Sequence, residues 1–363
     1  MKRKIINYGI MGLLVISIIA LIYFDNTWEL ENTGEDKQNT TYGLDIPYHW
    51  EEMIDEKNCI KATIDVPDII REKGFQKAVG IVRNVSRENV LSIVEDYYHP
   101  VYGGEDEYSI HYTGEDGMYF SFQKVVGSAY LMTDTYLYIR MAYRDGMAED
   151  YNRDLYDVDM DLENFSVEEC DEKLYEMFEQ FGIYGDVNIT HRALDYRMME
   201  EQAIELHMDG TETKPDYNWS EKDNSFFCTV SQACNEISII PTWQFTTPAV
   251  ILNAGAHTFV LNKERVIGLD VDDIYDIEYK QEWENLMEFS DVLEIFRQSP
   301  KLLTNNHYKK ITDISLRVIA VPDSESEYIM IPVWIFYGYW TDEEETFQAQ
   351  FAVMINAVTG EEL

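Results

Sequence analysis

The segment DVDMDLENFSVE sets Asp157, Asp159, Asp161 and Glu163 at alternate positions, with Glu168 twelfth from Asp157. Oxygen donors at positions 1, 3, 5 and 7, closed by a bidentate glutamate at position 12, hold calcium in the EF-hand loop. Two positions break the pattern. Leu162 stands sixth, where the sharp turn needs glycine, and Asn164 stands eighth, where an apolar residue belongs. Calcium is therefore the one cofactor the sequence suggests, on a partial ligand set. The competing reading is a polar loop that leads into a helix capped by Ser166, its acids placed favourably ahead of a positive helix end. A second acidic run, DVDDIYDIE from Asp270 to Glu278, has less regular spacing.

Other chemistry is thinly represented. His49, His99, His111, His191, His207, His257 and His307 are scattered, with no HExxH pair. Cys59, Cys170, Cys228 and Cys234 form no CxxC, which argues against a zinc ribbon or a thioredoxin-type site. Cys228 and Cys234 share one strand face if the chain between them stays extended, or bond as a disulfide if it turns at Ser231 and Gln232. Cys170 falls in the first turns of a helix, where a thiolate can be stabilised, but no histidine is placed beside it in sequence. No GxSxG, P-loop or GxGxxG occurs. A pair of carboxylates for glycoside hydrolysis is conceivable, yet with 68 acids any chosen pair is arbitrary.

One motif occurs twice. IPTWQF begins at Ile240 and IPVWIF at Ile331. At period two, Trp243 and Phe245 share a strand face, as do Trp334 and Phe336. Each copy is followed by an extended run that reaches an asparagine turn, TFVLNKE and AVMINAVTG. The pattern reads as a recurring edge strand whose aromatics pack on a helix, since proline favours strand starts and edges. The functional reading is an aromatic platform for sugar or peptide.

These residues need a scaffold, and its elements are legible. IKATIDV alternates as a strand. SRENVLSIVEDYYHP reads as a helix capped by Ser86, with Val90, Leu91, Val94 and Tyr98 on one face. EYSIHYTGEDGMYFSFQK reads as a hairpin turning at Gly114 to Gly117, and AYLMTDTYLYIRMAY as one or two further strands. SVEECDEKLYEMFEQFG carries a capping box, Ser166 with Glu169, an apolar stripe at Leu174, Met177, Phe178 and Phe181, and a stop at Gly182. DYRMMEEQAIELHMDG reads as a helix to Gly210. FSDVLEIFRQS reads as a helix capped by Ser290, and three long strands follow it, the last two paired around TDEEE.

The chain has 363 residues, 28 basic and 68 acidic. Such a charge excess repels nucleic acid and anionic head groups, and it attracts cations or a basic partner. The amino terminus departs from this pattern. Lys2, Arg3 and Lys4 precede 20 residues, Ile5 to Phe24, with no charge. A helix of that length spans about 30 Å, the hydrocarbon thickness of a bilayer. Positive residues before it, and Asp25, Glu29 and Glu31 after it, predict a cytoplasmic amino terminus with the bulk of the chain outside. No small-residue cleavage pattern follows, so the expectation is an uncleaved anchor. Residues 25–47 then read as a polar tether.

The run NWSEKDNSFFCTVSQACNEISI, followed by GLDVDDIYDIE, FSDVLEIF, IPVWIFYG and MINAVTGE, resembles an uncharacterised family of clostridial cell-envelope proteins, many of them lipid-anchored. The likeness covers roughly residues 166–363. It implies lobes of helix on sheet and no assigned reaction. The chain departs from the family in lacking an anchor cysteine after its apolar run, which favours a spanning helix. The layout also resembles membrane-anchored accessory regulators of a cell-wall-sensing histidine kinase.

The expectation is an α+β protein: a transmembrane helix (1–24), a tether (25–47), and three lobes of helix on antiparallel sheet at 48–164, 165–278 and 279–363. Its function is expected to be non-enzymatic binding or regulation at a Gram-positive envelope, through the membrane and an envelope protein partner. The competing classes are a cation- or polysaccharide-binding surface protein and a carboxylate-dependent envelope hydrolase.

Overall fold

Alternation of Ile60, Ala62 and Ile64 with polar neighbours produces a strand buried on one side, Asn58–Asp65. It is one of 18 strands and seven α-helices in a computed structural model that describes residues 44–83, 85–124, 128–143, 155–207, 211–240, 257–303, 307–324, 327–341 and 348–363. In chain order the first elements are β1 (His49–Met53), β2 (Asn58–Asp65), α1 (Asp68–Lys73), β3 (Phe75–Val82) and α2 (Arg87–Tyr98). Then come β4 (Val101–Glu105), β5 (Ser109–Thr113), β6 (Tyr119–Gln123), β7 (Ala129–Met132), α3 (Asp134–Tyr143), α4 (Val167–Phe181) and β8 (Val187–Leu194). After them come α5 (Tyr196–Gln202), β9 (Glu205–Leu206), β10 (Glu212–Thr213), β11 (Ser225–Cys234), β12 (Ile237–Ile240), β13 (His257–Asn262) and β14 (Val266–Val271). The chain closes with β15 (Tyr275–Glu284), α6 (Phe289–Arg297), α7 (Pro300–Leu303), β16 (Tyr308–Pro322), β17 (Glu327–Thr341) and β18 (Gln348–Asn356).

The expected α+β class holds, as a large mixed sheet with helices on its faces. Its pairing does not follow three consecutive lobes. One half runs β15-β3-β17-β16, with β2 also on β16 and β18 also on β17. It joins the beginning of the described chain to its end. The other half runs β8-β11-β13-β14-β7-β6-β5-β4, all antiparallel, and comes from the middle of the chain. Hydrophobic periodicity marks a strand but says nothing about which distant strand it will pair with.

Strand β11 belongs to both halves. Ser225 to Gln232 pair with β8, while Ala233 and Cys234 pair with β12, which lies parallel to β16. The buried Gln232 side chain fastens the join. Its Nε2 donates to the Tyr275 carbonyl and its Oε1 accepts the Tyr275 amide, each at 2.8 Å. Because β11 runs without a turn, Cys228 and Cys234 lie about 20 Å apart along an extended chain. They reach different cores, and both are free thiols. The suggested bond between them is therefore not made.

Helices α2 and α4 cover one face of the middle half, and their apolar stripes meet Phe226, Cys228, Phe259 and Leu269. Helices α3 and α5 cover the opposite face, against Phe227, Val260 and Ile267. Helix α6 covers the other half of the sheet. Three sequence expectations shift. The residues expected as a strand after β7 form α3, because Tyr136, Ile139, Ala142 and Tyr143 recur at helical spacing. The Thr133 hydroxyl also accepts the Tyr136 amide at 3.1 Å and starts the turn. Helix α5 ends at Gln202 rather than Gly210, since Glu205–Leu206 turns back to pair with Glu212–Thr213. Helix α6 begins at Phe289, with Glu288 and not Ser290 at its cap position.

The expected edge strand is also corrected. β17 is interior: β16 lies along one side, while β3 and then β18 occupy the other. Pro332 falls between the last residue paired with β3, Ile329, and the first paired with β18, Val333. A missing N–H costs little at that change of partner. Among the described residues no helix is long and apolar enough to cross a membrane. The run Ile5 to Phe24 lies outside them.

Candidate functional site

The acids expected to hold calcium do not converge. Asp161 Oδ1 accepts the Val167 amide at 2.8 Å, at the first residue of α4. Glu163 pairs with Arg197 at 3.2 Å, and Glu168 is exposed in the first turn of α4. Asp157 engages the edge of β8 through its carbonyl, which accepts the Ala193 amide. Asp159, itself exposed, reaches the ring of a buried histidine, His191. The second acidic run is half-buried. Burial, and then the negative charge of Asp270 and Asp273, pushes the Asp272 carboxyl up to about 6. Burial also raises Asp273.

What the fold gathers instead is a cluster under α4. The capping box at Ser166 and Glu169 fixes the start of this helix, so that Cys170 points to the sheet and Asp171 lies beside it at the margin. On the sheet, Val187, Ile189, His191 and Ala193 of β8 face α4, and so do Phe226, Cys228 and Val230 of β11. His191 stands directly opposite Cys228. The His191 amide donates to Asp159 Oδ1 and its carbonyl accepts the Asp159 amide, both on the side away from β11. His191 and Cys228 thus form a non-hydrogen-bonded pair, the closer of the two antiparallel spacings at about 4.5 Å between Cα atoms.

The side chains meet accordingly. Cys170 Sγ and Cys228 Sγ are 3.6 Å apart. One ring nitrogen of His191 and the two sulfurs all lie within 4.8 Å of one another. His191 is 5% exposed. Its Nδ1 is 3.0 Å from Asp159 Oδ1 and its Nε2 is 2.9 Å from Asp171 Oδ1. Phe226 meets the imidazole nearly edge-on at 6.0 Å. Burial pushes the Cys228 thiol well above its ordinary range, and the hydrogen bond to Cys170 and the two nearby carboxylates add to that push. Two sulfurs and an imidazole suit a soft or borderline ion, and two sulfurs this close could also bond to each other.

No family model and no curated protein matches the chain. Solved structures do match. An uncharacterised protein from Eubacterium rectale superposes with a TM-score of 0.63, over 87% of this chain and 93% of that one, at 16% sequence identity. At that identity the likeness shows the fold alone.

The aromatics have a different fate from a binding platform. Trp334 and Phe336 are fully buried. Trp334 packs on Phe289 of α6 at 5.1 Å and Phe336 on Phe296 at 4.1 Å, so neither is open to sugar or peptide. Trp243 and Phe245 lie outside the described residues. The asparagines that follow the two motifs do share a role. Asn262 Oδ1 accepts the amides of Glu264 and Arg265, and Asn356 Oδ1 those of Val358 and Thr359.

The Cys170, His191 and Cys228 grouping escapes a reading of linear spacing, because strand register creates it. One trace was present in the sequence. His191 sits in the apolar phase of VNITHRAL, where period two predicts a residue facing a core.

Proposed function

We propose that the chain is a membrane-anchored extracytoplasmic protein with a non-enzymatic binding or regulatory role at a Gram-positive cell envelope. The observation that carries this reading is the uncharged run from Ile5 to Phe24, with Lys2, Arg3 and Lys4 before it and an acidic chain after it. That order of charges favours retention of the amino terminus in the cytoplasm. A strongly acidic ectodomain repels anionic lipid head groups and so stands clear of the membrane surface.

The fold supports contact as the mode of action. β4 ends the strand order, and Val101 and Tyr102 on it are 65% and 58% exposed. Tyr108, in the neighbouring turn, is exposed as well. An open edge with exposed aromatic side chains can accept a strand or loop from a partner, its backbone groups giving affinity and its side chains selectivity. Of the acids and aromatics that suggested other chemistry, Asp161 accepts the first amide of α4, Glu163 pairs with Arg197, and Trp334 and Phe336 pack in the core.

The test is photocrosslinking in intact cells from a probe placed at Tyr102, together with protease added from outside. Capture of one discrete envelope protein, with the ectodomain open to protease, supports the proposal. Capture of glycan alone would replace it with a polysaccharide-binding role. Full protection from protease would remove it.

A further inference from the structure

We propose that Cys170, Cys228 and His191, with Asp171 as fourth donor, form a closed tetrahedral site for a zinc-class divalent ion, and that Asp159 orients the imidazole. This goes beyond the binding role above and does not depend on it.

The geometry is close to what such an ion demands. Zinc–sulfur bonds of about 2.3 Å at tetrahedral angles place two sulfurs about 3.8 Å apart. The two sulfurs here are 3.6 Å apart. A sulfur and a nitrogen on one zinc ion lie about 3.6 Å apart. The donors here lie within 4.8 Å, so the set closes with a shift of about 1 Å of the imidazole or a thiol rotation. An oxygen and a nitrogen on one ion lie about 3.4 Å apart. Asp171 Oδ1 already sits 2.9 Å from Nε2 of His191. Asp171 stands outside the 4.8 Å grouping of the other three donors, so its carboxylate must swing from Nε2 toward the sulfurs to complete the site.

Asp159 has a different role. Its Oδ1 meets Nδ1 of His191 and also accepts the His191 amide, while its own amide donates to the His191 carbonyl. Three contacts tie it to β8, so it stays in place while the ring turns its other nitrogen to the ion. A carboxylate on the far nitrogen of a ligating histidine fixes the ring and strengthens its basicity. The lining also suits a closed site. Phe165, Phe226 and Phe259 are at most 1% exposed, whereas the Asp171 side chain is 35% exposed and leaves a path for entry.

A disulfide between Cys170 and Cys228 competes for the same sulfurs. It accounts for their approach, but it gives no role to the imidazole between two carboxylates. The ion would join α4 to β8 and to β11, whose cysteine lies 58 residues beyond Cys170. Binding should then be felt as fold stability, as at structural zinc sites.

The experiment is titration of the reduced, metal-free full chain in detergent with cobalt(II), followed by displacement with zinc. One equivalent of cobalt should produce thiolate-to-cobalt absorption and the visible bands of a tetrahedral ion, and zinc should abolish both. Cys59→Ser and Cys234→Ser should leave the spectrum intact, while Cys170→Ser or Cys228→Ser should remove most of it. Asp159→Asn should keep the spectrum and weaken zinc binding about 10- to 100-fold, a result that a merely packing role for Asp159 would not give. The wild-type titration needs no variant to fold. A reduced chain with no cobalt spectrum overturns the site. So does a spectrum that survives in a folded Cys228→Ser chain, or a Cys170–Cys228 disulfide found by peptide mapping of protein taken from cells.

Discussion

Phe296 of α6 lies flat on Phe336 of β17, with ring centroids 4.1 Å apart and planes 8° from parallel. Two turns earlier on the helix, Phe289 meets Trp334, two residues earlier on the strand. Helix positions seven apart share a face, and so do strand positions two apart. The two ring pairs therefore fix both the position and the direction of α6 on the sheet. Replacing Phe296 or Phe336 by alanine should each cost about 3–5 kcal/mol. The double variant should cost less than the sum by about 0.5–1.5 kcal/mol, the coupling typical of an aromatic pair. Urea unfolding of the four chains measures this, and strictly additive losses would show that the rings do not act as a pair.

A second prediction concerns Gly338, opposite the β-bulge where the β16 register shifts between Ile311 and Asp313. A Cβ on this residue would collide with the Lys310 carbonyl oxygen and lie 2.7 Å from Ile311 Cα. Both obstacles are backbone, so no side-chain rotation relieves them. Gly338→Ala should destabilise the chain by about 1–3 kcal/mol. Unchanged thermal melting would mean that the bulge gives way freely.

How far the sequence discloses this fold depends on the range of the forces involved. Helix α4 is set by local features, Ser166 with Glu169 at one end and Gly182 in the left-handed region at the other, and all of them can be read within 17 residues of sequence. The stretch that forms α3 is ambiguous, because TYLYIRMAY satisfies strand composition and helix periodicity alike. The packing of Tyr136, Ile139 and Tyr143 on the sheet decides it. Register is less accessible still. Nothing local says that His191 will face Cys228, since β8 and β11 are separated by α5 and a hairpin. The candidate site depends on that pairing, and so it was illegible while the helix above it was plain.

The capping box at the start of α4 predicts a modest and specific loss. Ser166 Oγ accepts the Glu169 amide at 3.1 Å, and Glu169 Oε2 accepts the Ser166 amide at 2.9 Å. That amide bond, followed by the neighbouring Lys263, holds the Glu169 carboxyl below its ordinary range. Ser166→Ala should cost about 1 kcal/mol, and Ser166→Asp should recover most of it. Hydrogen exchange should localise the change to the first turn of α4, next to Cys170. Protection lost evenly along the whole helix would count against a cap effect.

Asp272 gives a pH dependence of unusual sign. Its carboxyl is pushed up to about 6 in the fold, against 3.8 when unperturbed, first by burial and then by Asp270 and Asp273. The fold thus holds this proton more tightly than the unfolded chain does. Between about pH 4 and 6 the native state binds more protons, so the contribution of Asp272 to stability falls as pH rises and stays low above that range. The loss should amount to about 1–2 kcal/mol, discounted for partial solvent screening. Carboxyls held low by their partners, such as Glu52 beside Arg297, work in the opposite direction, so the whole-protein curve mixes the two. A comparison with Asp272→Asn separates them. The variant should melt higher than the parent at pH 7.5, where the parent carries a destabilised carboxylate. The two should converge at pH 4.5, where the parent carboxyl is protonated. A constant offset at both pH values would assign the gain to packing and not to ionisation.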